Sequence, residues 1–269
     1  MDNRPIAVFD SGVGSLSVIQ SLRKEMPNES IVYLADRAHY PYGKKTREQL
    51  KLITIQTLKY LEKFDPKAII VASVTPSMKV LKECKLHVNV PVFGVYLNIG
   101  DAVALSKTKF IALLATEGIV EGQFLDDYIN PYITTAKIIK VNASPIIDLV
   151  ESGKFLDDDK EVNRIIANNT TSITSNPKTD VIILASTHLP LIKERIASIY
   201  PKVQFVDPVI NTVNQVETYL QNHDIAAQNK GRMQILVSKN KEEFKKIAQS
   251  LGMQDEIEDV KLDFKIDVF

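Results

Sequence analysis

Short apolar runs separated by amphipathic stretches dominate the chain. Runs at 6–10, 31–35, 68–72, 91–94, 109–114, 137–141, 181–185, 203–206 and 233–237 have the length and composition of buried strands. Between them, segments such as 44–63, 158–171, 209–221 and 240–250 place apolar residues at helical spacing. Continuous rather than alternating hydrophobicity marks strands covered on both faces, and the strand–helix alternation supplies the covers. The pattern predicts an α/β fold of mainly parallel sheets flanked by helices. Two runs end alike: Ala68-Ile69-Ile70-Val71-Ala72-Ser73-Val74-Thr75-Pro76 and Val181-Ile182-Ile183-Leu184-Ala185-Ser186-Thr187-His188-Leu189-Pro190. Each half of the chain thereby delivers a serine to the carboxyl end of a strand, the edge at which open α/β sheets bind ligands. Matched hydroxyls of that kind suit one small substrate flanked from opposite sides.

A length of 269 residues accommodates two domains of ordinary size, and the repeat favours two over one. Domain crossings are placed near 97 and 207, giving a first domain of 1–97 plus 207–269 and a second of 98–206. Thirty-three basic residues balance 33 acidic ones, so no net field draws nucleic acid or an acidic membrane surface. No apolar stretch reaches the length of a membrane span, and the amino terminus runs into Ile6-Ala7-Val8-Phe9 without a secretory segment. A cytoplasmic protein is expected. Cys84 is the sole cysteine, which leaves no disulfide framework or cysteine metal site. Its neighbours Met78, Val80, Leu81 and Leu86 predict a packed structural thiol on an amphipathic helix.

Candidate chemistry gathers at turns. Asp10-Ser11-Gly12-Val13-Gly14-Ser15 follows a strand and opens a helix near Leu16. Such a turn either brings backbone N–H groups to an anionic ligand or is a tight connection with Ser11 or Ser15 capping the helix. The phosphate-loop lysine is missing, and the GxGxxG spacing of dinucleotide folds is incomplete. Pro41-Tyr42-Gly43, after Asp36-Arg37-Ala38-His39-Tyr40, is a second turn that wraps a small molecule or serves as an ordinary loop. Ser186-Thr187-His188 sets a hydroxyl and an imidazole two residues apart, the histidine either moving protons or making a structural hydrogen bond. His39, His87 and His223 show no metal-ligand spacing, so no metal is expected. Glu151, closing the apolar stretch Pro145-Ile146-Ile147-Asp148-Leu149-Val150, is either solvated or turned into a cleft.

Taken in order, these motifs resemble the glutamate racemase family of the aspartate/glutamate racemase superfamily, over almost the whole chain. Phe9-Asp10-Ser11-Gly12-Val13-Gly14 is similar to the family's opening motif, and Asp36 with Pro41-Tyr42-Gly43 to its second. Ala72-Ser73-Val74-Thr75-Pro76-Ser77 sits where the family has Ala-Cys-Asn-Thr-Ala-Ser, and Ala185-Ser186-Thr187-His188-Leu189-Pro190-Leu191 where it has Gly-Cys-Thr-His-Tyr-Pro-Leu. Leu149-Val150-Glu151, Val206-Asp207 and the stretch from Val237 to Phe244 also fall in place. The resemblance implies two pseudo-symmetric α/β domains with the active site in the interdomain cleft. It implies cofactor-independent, two-base transfer of the α-proton of glutamate, one cysteine removing the proton and the other returning one to the opposite face. Asp10, Ser11, Pro41, Tyr42, Gly43, Val74, Thr75, Thr116, Thr187 and His188 would line the substrate, while Asp10, Asp36, Glu151 and His188 would tune the acid/base pair Ser73 and Ser186. A homodimer, and a role in making D-glutamate for the peptidoglycan cell wall, are implied in the same way.

The departure from the family lies at its centre. Both proton-transfer positions are serine, and a hydroxyl is a weaker acid than a thiol of pKa about 8.5. A gap of about 5 pKa units costs about 7 kcal/mol, on the order of 10⁵ in rate, recovered only in part because an alkoxide is the stronger base. Val74 also deletes an amide that the family directs at its substrate, and Leu189 replaces a tyrosine. Three readings stand. The first is a glutamate racemase-type isomerase whose serines are weak catalysts or engineered substitutes for cysteine. The second is a catalytically silent binding or regulatory homologue. The third is a serine-dependent hydrolase or lyase, for which no oxyanion-hole signature or base–orienter pair is legible.

Overall fold

The computed structural model describes residues 2–157, 159–176, 178–262 and 264. Its strands are β1 (Ile6–Asp10), β2 (Ile31–Ala35), β3 (Ala68–Val71), β4 (Val92–Gly94), β5 (Phe110–Ala115), β6 (Lys137–Asn142), β7 (Val181–Leu184), β8 (Gln204–Val206), β9 (Met233–Val237) and β10 (Ile257–Asp259). Nine of them coincide with the apolar runs to within a residue at each end, and β10 adds one that hydrophobicity did not mark. The helical stretches are realised as Arg47–Glu62, Asp159–Asn169, Pro208–Asn222 and Lys241–Ser250, with Asp158 outside the described residues. The first begins sharply because Thr46 and Gln49 form a capping box, each side chain accepting the other's backbone N–H.

The chain divides into two compact units, Met1–Val95 with Val209–Phe269, and Tyr96–Pro208. In the first, a six-stranded parallel sheet has the order β10-β9-β2-β1-β3-β4; in the second, a four-stranded parallel sheet has the order β6-β5-β7-β8. Every residue of β1, β2, β3 and β7 is buried, which is why those strands read as unbroken apolar runs. The edge strand β6 carries Lys137 and Lys140 instead, a charge pattern that discourages pairing with another chain. No described helix is long and apolar enough to cross a membrane.

The two sheets share one winding. In each, the first strand lies between the second and the third, so the order reverses between β1 and β3 in one unit and between β5 and β7 in the other. Such a reversal leaves the connections at the carboxyl ends diverging to opposite faces, opening a crevice for a ligand. Ser73 follows β3 and Ser186 follows β7, corresponding strands of the two sheets. Cys84 is buried at the end of the short helix Leu81–Cys84, and burial pushes its thiol up to about 12, as befits a packing residue.

Candidate active site

In the first unit the carboxyl edge carries two linked turns. Asp10 closes β1 and is almost fully buried, and its carbonyl accepts the Asp36 N–H at 2.7 Å where β2 ends. The following segment forms a 3₁₀ turn, Val13–Ser15, before the helix Leu16–Glu25. Of the two readings of this turn, the one in which Ser11 or Ser15 caps the helix is not realised. Neither end shows a side-chain cap; Ser15 Oγ donates to the Gly12 carbonyl at 2.9 Å and pairs with the Tyr33 hydroxyl at 2.6 Å. Arg37 Nη1 donates to the Ser11 carbonyl at 3.2 Å, tying the second turn to the first.

Asp36 has no exposed surface. His39 Nδ1 lies 2.7 Å from its Oδ1, the Tyr42 hydroxyl donates to Oδ2 at 2.8 Å, and Ser238 Oγ donates to Oδ1 at 3.4 Å. Burial, and after it the negative charges of Asp36 and Asp10, hold the Tyr42 hydroxyl well above the usual tyrosine range, so it remains a neutral donor. Asp36 therefore fixes Tyr42, whereas Pro41 is half-buried and Gly43 is exposed with open space where a side chain would stand.

Ser73 occupies extended backbone at the start of the helix Val74–Lys79. Its carbonyl accepts Ser77 Oγ at 2.6 Å, and Ser77 Oγ accepts the Val95 N–H at 3.0 Å. The close packing requires Gly94: a Cβ there would come within 2.5 Å of Leu81 and 2.8 Å of Ser77 Oγ. The Ser73 hydroxyl itself has no hydrogen-bond partner among the described residues. Val74 and Thr75 beside it are buried.

The second unit assembles what sequence spacing left unresolved. Glu151 ends the helix Ser144–Glu151 and is buried rather than solvated, and His188 follows β7 in the turn before Leu189–Ile192. His188 Nε2 lies 2.8 Å from Glu151 Oε2, and His188 Nδ1 lies 3.3 Å from Ser186 Oγ. Hydroxyl, imidazole and carboxylate thus form one bonded row, with Thr187 buried beside it. Thr116 begins the helix Glu117–Val120 directly after β5, the strand paired with β7. Sequence reasoning missed His39, Ser238 and Ser77 as supports. The first lies three residues after Asp36, a local spacing that points to it, whereas Ser238 reaches Asp36 only through the pairing of β9 with β2.

Two parallel α/β units, each ending a strand of matching topology in a serine and one adding a histidine–carboxylate pair, define a two-unit α/β protein equipped for acid/base chemistry. The family model for Asp/Glu/Hydantoin racemase matches residues 12–216. A glutamate racemase from Lysinibacillus sphaericus is 34% identical over 206 residues, covering 76% of each chain. Among solved structures, glutamate racemase isoform RacE1 from Bacillus anthracis superposes with a TM-score of 0.86 at 26% identity, covering 98% of this chain and all of that one. The glutamate racemase of Francisella tularensis in complex with D-glutamate gives 0.82 at 25% identity, covering 98% and 99%. The chain belongs to the Asp/Glu/Hydantoin racemase family, and within it is a glutamate racemase-like isomerase.

Proposed function

We propose that the protein moves the α-proton of glutamate or a similar acidic amino acid without a cofactor, slowly because both bases are serine. The observation that carries this reading is the bonded row Ser186–His188–Glu151 at the end of β7, matched by Ser73 at the end of the corresponding strand β3. Asp10, Ser11, Tyr42, Gly43, Thr75, Thr116 and Thr187 hold the amino acid, and Asp36 contributes by fixing Tyr42. Relatives named glutamate racemase, one of them solved with D-glutamate, support the choice of substrate. The same reading carries a homodimer in the cytoplasm that supplies D-glutamate for cell-wall peptidoglycan.

Restoring thiols tests the reading. The double variant Ser73→Cys with Ser186→Cys is expected to racemise glutamate at least ~10³-fold faster than the parent, followed by circular dichroism, since the thiolate forms near neutrality and the alkoxide does not. No gain in a double variant that unfolds at the parent's temperature contradicts the proposal.

A further inference from the structure

The second turn of the first unit is finished by residues from the returning end of the chain. It opens with a 3₁₀ segment, Arg37–His39, in which the His39 and Tyr40 N–H groups bond back to the Asp36 and Arg37 carbonyls at 3.2 and 3.3 Å. N–H groups earlier in such a segment need acceptors from outside it, and the residue that precedes it commonly supplies one. Asp36 holds that place but makes no side-chain cap, because its carboxylate is turned to His39 Nδ1 and the Tyr42 hydroxyl. Ser238 takes over the role. Its Oγ accepts the Ala38 N–H at 2.9 Å and lies 3.4 Å from both the Ala35 carbonyl and Asp36 Oδ1, to one of which it donates. The sheet places it there: β9 pairs with β2 so that Val237 stands opposite Ala35, and the Ser238 N–H closes the ladder on the Ala35 carbonyl at 3.1 Å.

A second residue of the return meets the same turn. Phe264 stacks on the His39 ring with centroids 5.3 Å apart and planes 3° from parallel, an offset arrangement that aromatic rings favour. The stacked imidazole is the one whose Nδ1 lies 2.7 Å from Asp36 Oδ1. Asp36 also accepts the Tyr42 hydroxyl, and Tyr42 begins the next 3₁₀ turn, Tyr42–Lys44, which contains Gly43. Phe264, His39, Asp36 and Tyr42 thus form one line of contacts within the first unit, and Ser238 enters it at Ala38 and Asp36.

Resting on the racemase reading, we infer that Ser238 and Phe264 are positioning residues for substrate binding: the returning segment caps and stacks on the second turn, and so sets Tyr42 and Gly43 at the carboxyl edge of the first sheet. Both act through the turn. A turn that is loose before the amino acid arrives must be ordered on binding, and that ordering subtracts from affinity. Neither residue takes or gives the α-proton, so their loss weakens binding and leaves the chemical step alone.

Amide NMR titrations with D- and L-glutamate, together with hydrogen exchange in their absence, test this. Ser238→Ala is expected to weaken glutamate binding about fivefold, the equilibrium equivalent of one lost cap, and to speed exchange of the Ala38 amide. Ser238→Thr keeps the hydroxyl and should bind within about twofold of the parent. Phe264→Leu keeps an apolar side chain without the ring and is expected to weaken binding about threefold. Placed in the double-cysteine variant, Ser238→Ala and Phe264→Leu should each raise KM for glutamate with kcat unchanged, whereas a smaller folded fraction would lower kcat and leave KM where it was. Binding unchanged in Ser238→Ala and Phe264→Leu, Ser238→Thr as weak as Ser238→Ala, or a fall in kcat without a rise in KM overturns the inference. Failure of the racemase reading looks different: the parent and the double-cysteine variant then bind no glutamate at all, and the inference loses its substrate even if the Ala38 amide of Ser238→Ala exchanges faster.

Discussion

Asp36 shows how one side chain organises its surroundings. Removing it leaves the buried Tyr42 hydroxyl and His39 Nδ1 without their acceptor. An unsatisfied buried polar group costs about 1–3 kcal/mol, so Asp36→Ala, stranding two, is expected to lose about 3 kcal/mol in urea unfolding. A loss under about 1 kcal/mol would show that the turn does not depend on this carboxylate. At this scale the sequence was informative where chemistry is local. Ser186-Thr187-His188 and Asp36 through Tyr42 each lie within a few residues, and their members do meet. Residue spacing was silent where partners come from distant elements, as with Glu151 on His188, which only the family resemblance grouped, and Ser238 on Asp36, because no periodicity encodes which helix or strand end lies opposite.

Elements were legible in proportion to their burial. The central strands are buried along their whole length and announce themselves as apolar runs; β10 is three residues long with two exposed, and carries no such signal. Local turn chemistry decides how the strands are entered. Before β5, Asp180 accepts Ser106 Oγ at 2.6 Å and the N–H groups of Lys107 and Thr108 at 2.7 and 2.9 Å, joining that turn to the start of β7. Burial pushes the Asp180 carboxyl up, but the hydrogen bonds from Ser106, Thr108 and Lys107 outweigh it and hold the group below the ordinary aspartate value. A carboxyl depressed on folding adds stability that is fully present above its unfolded pKa and is lost as pH falls through the folded one. Thermal unfolding of the parent is therefore expected to weaken more steeply below about pH 4 than that of Asp180→Asn, which has no charge to lose. Parallel pH profiles would refute the assignment.

For the whole molecule, the repeat of winding was foreshadowed by the paired Ala-Ser segments, but the strand reversal beside each serine became visible only with the sheet orders. The return of the chain to its first unit is built from pairing and buried charge. β9 joins β2 in parallel; Lys67 Nζ lies 2.5 Å from Glu29 Oε2 and donates to the Ile225 carbonyl at 2.8 Å, while Glu29 Oε1 accepts the Ala227 N–H at 2.8 Å. A buried pair stripped of its supporting bonds is strongly destabilising, and an uncovered β2 edge invites aggregation. A chain ending at residue 208 is thus expected to lose cooperative unfolding of the first unit, measured by hydrogen exchange at β1 and β2. Protection equal to that of the full chain would mean that the returning segment is dispensable.

The central claim is that the serines at the ends of β3 and β7 act on the α-proton of an acidic amino acid. Proton NMR of D- and L-glutamate in deuterated water, with the parent and with the Ser73→Cys, Ser186→Cys double variant, tests it most directly. The account predicts slow loss of the α-proton signal with the parent, and rapid loss from both enantiomers with interconversion in the double variant. Signals of both enantiomers that stay unchanged in both proteins over days would contradict it.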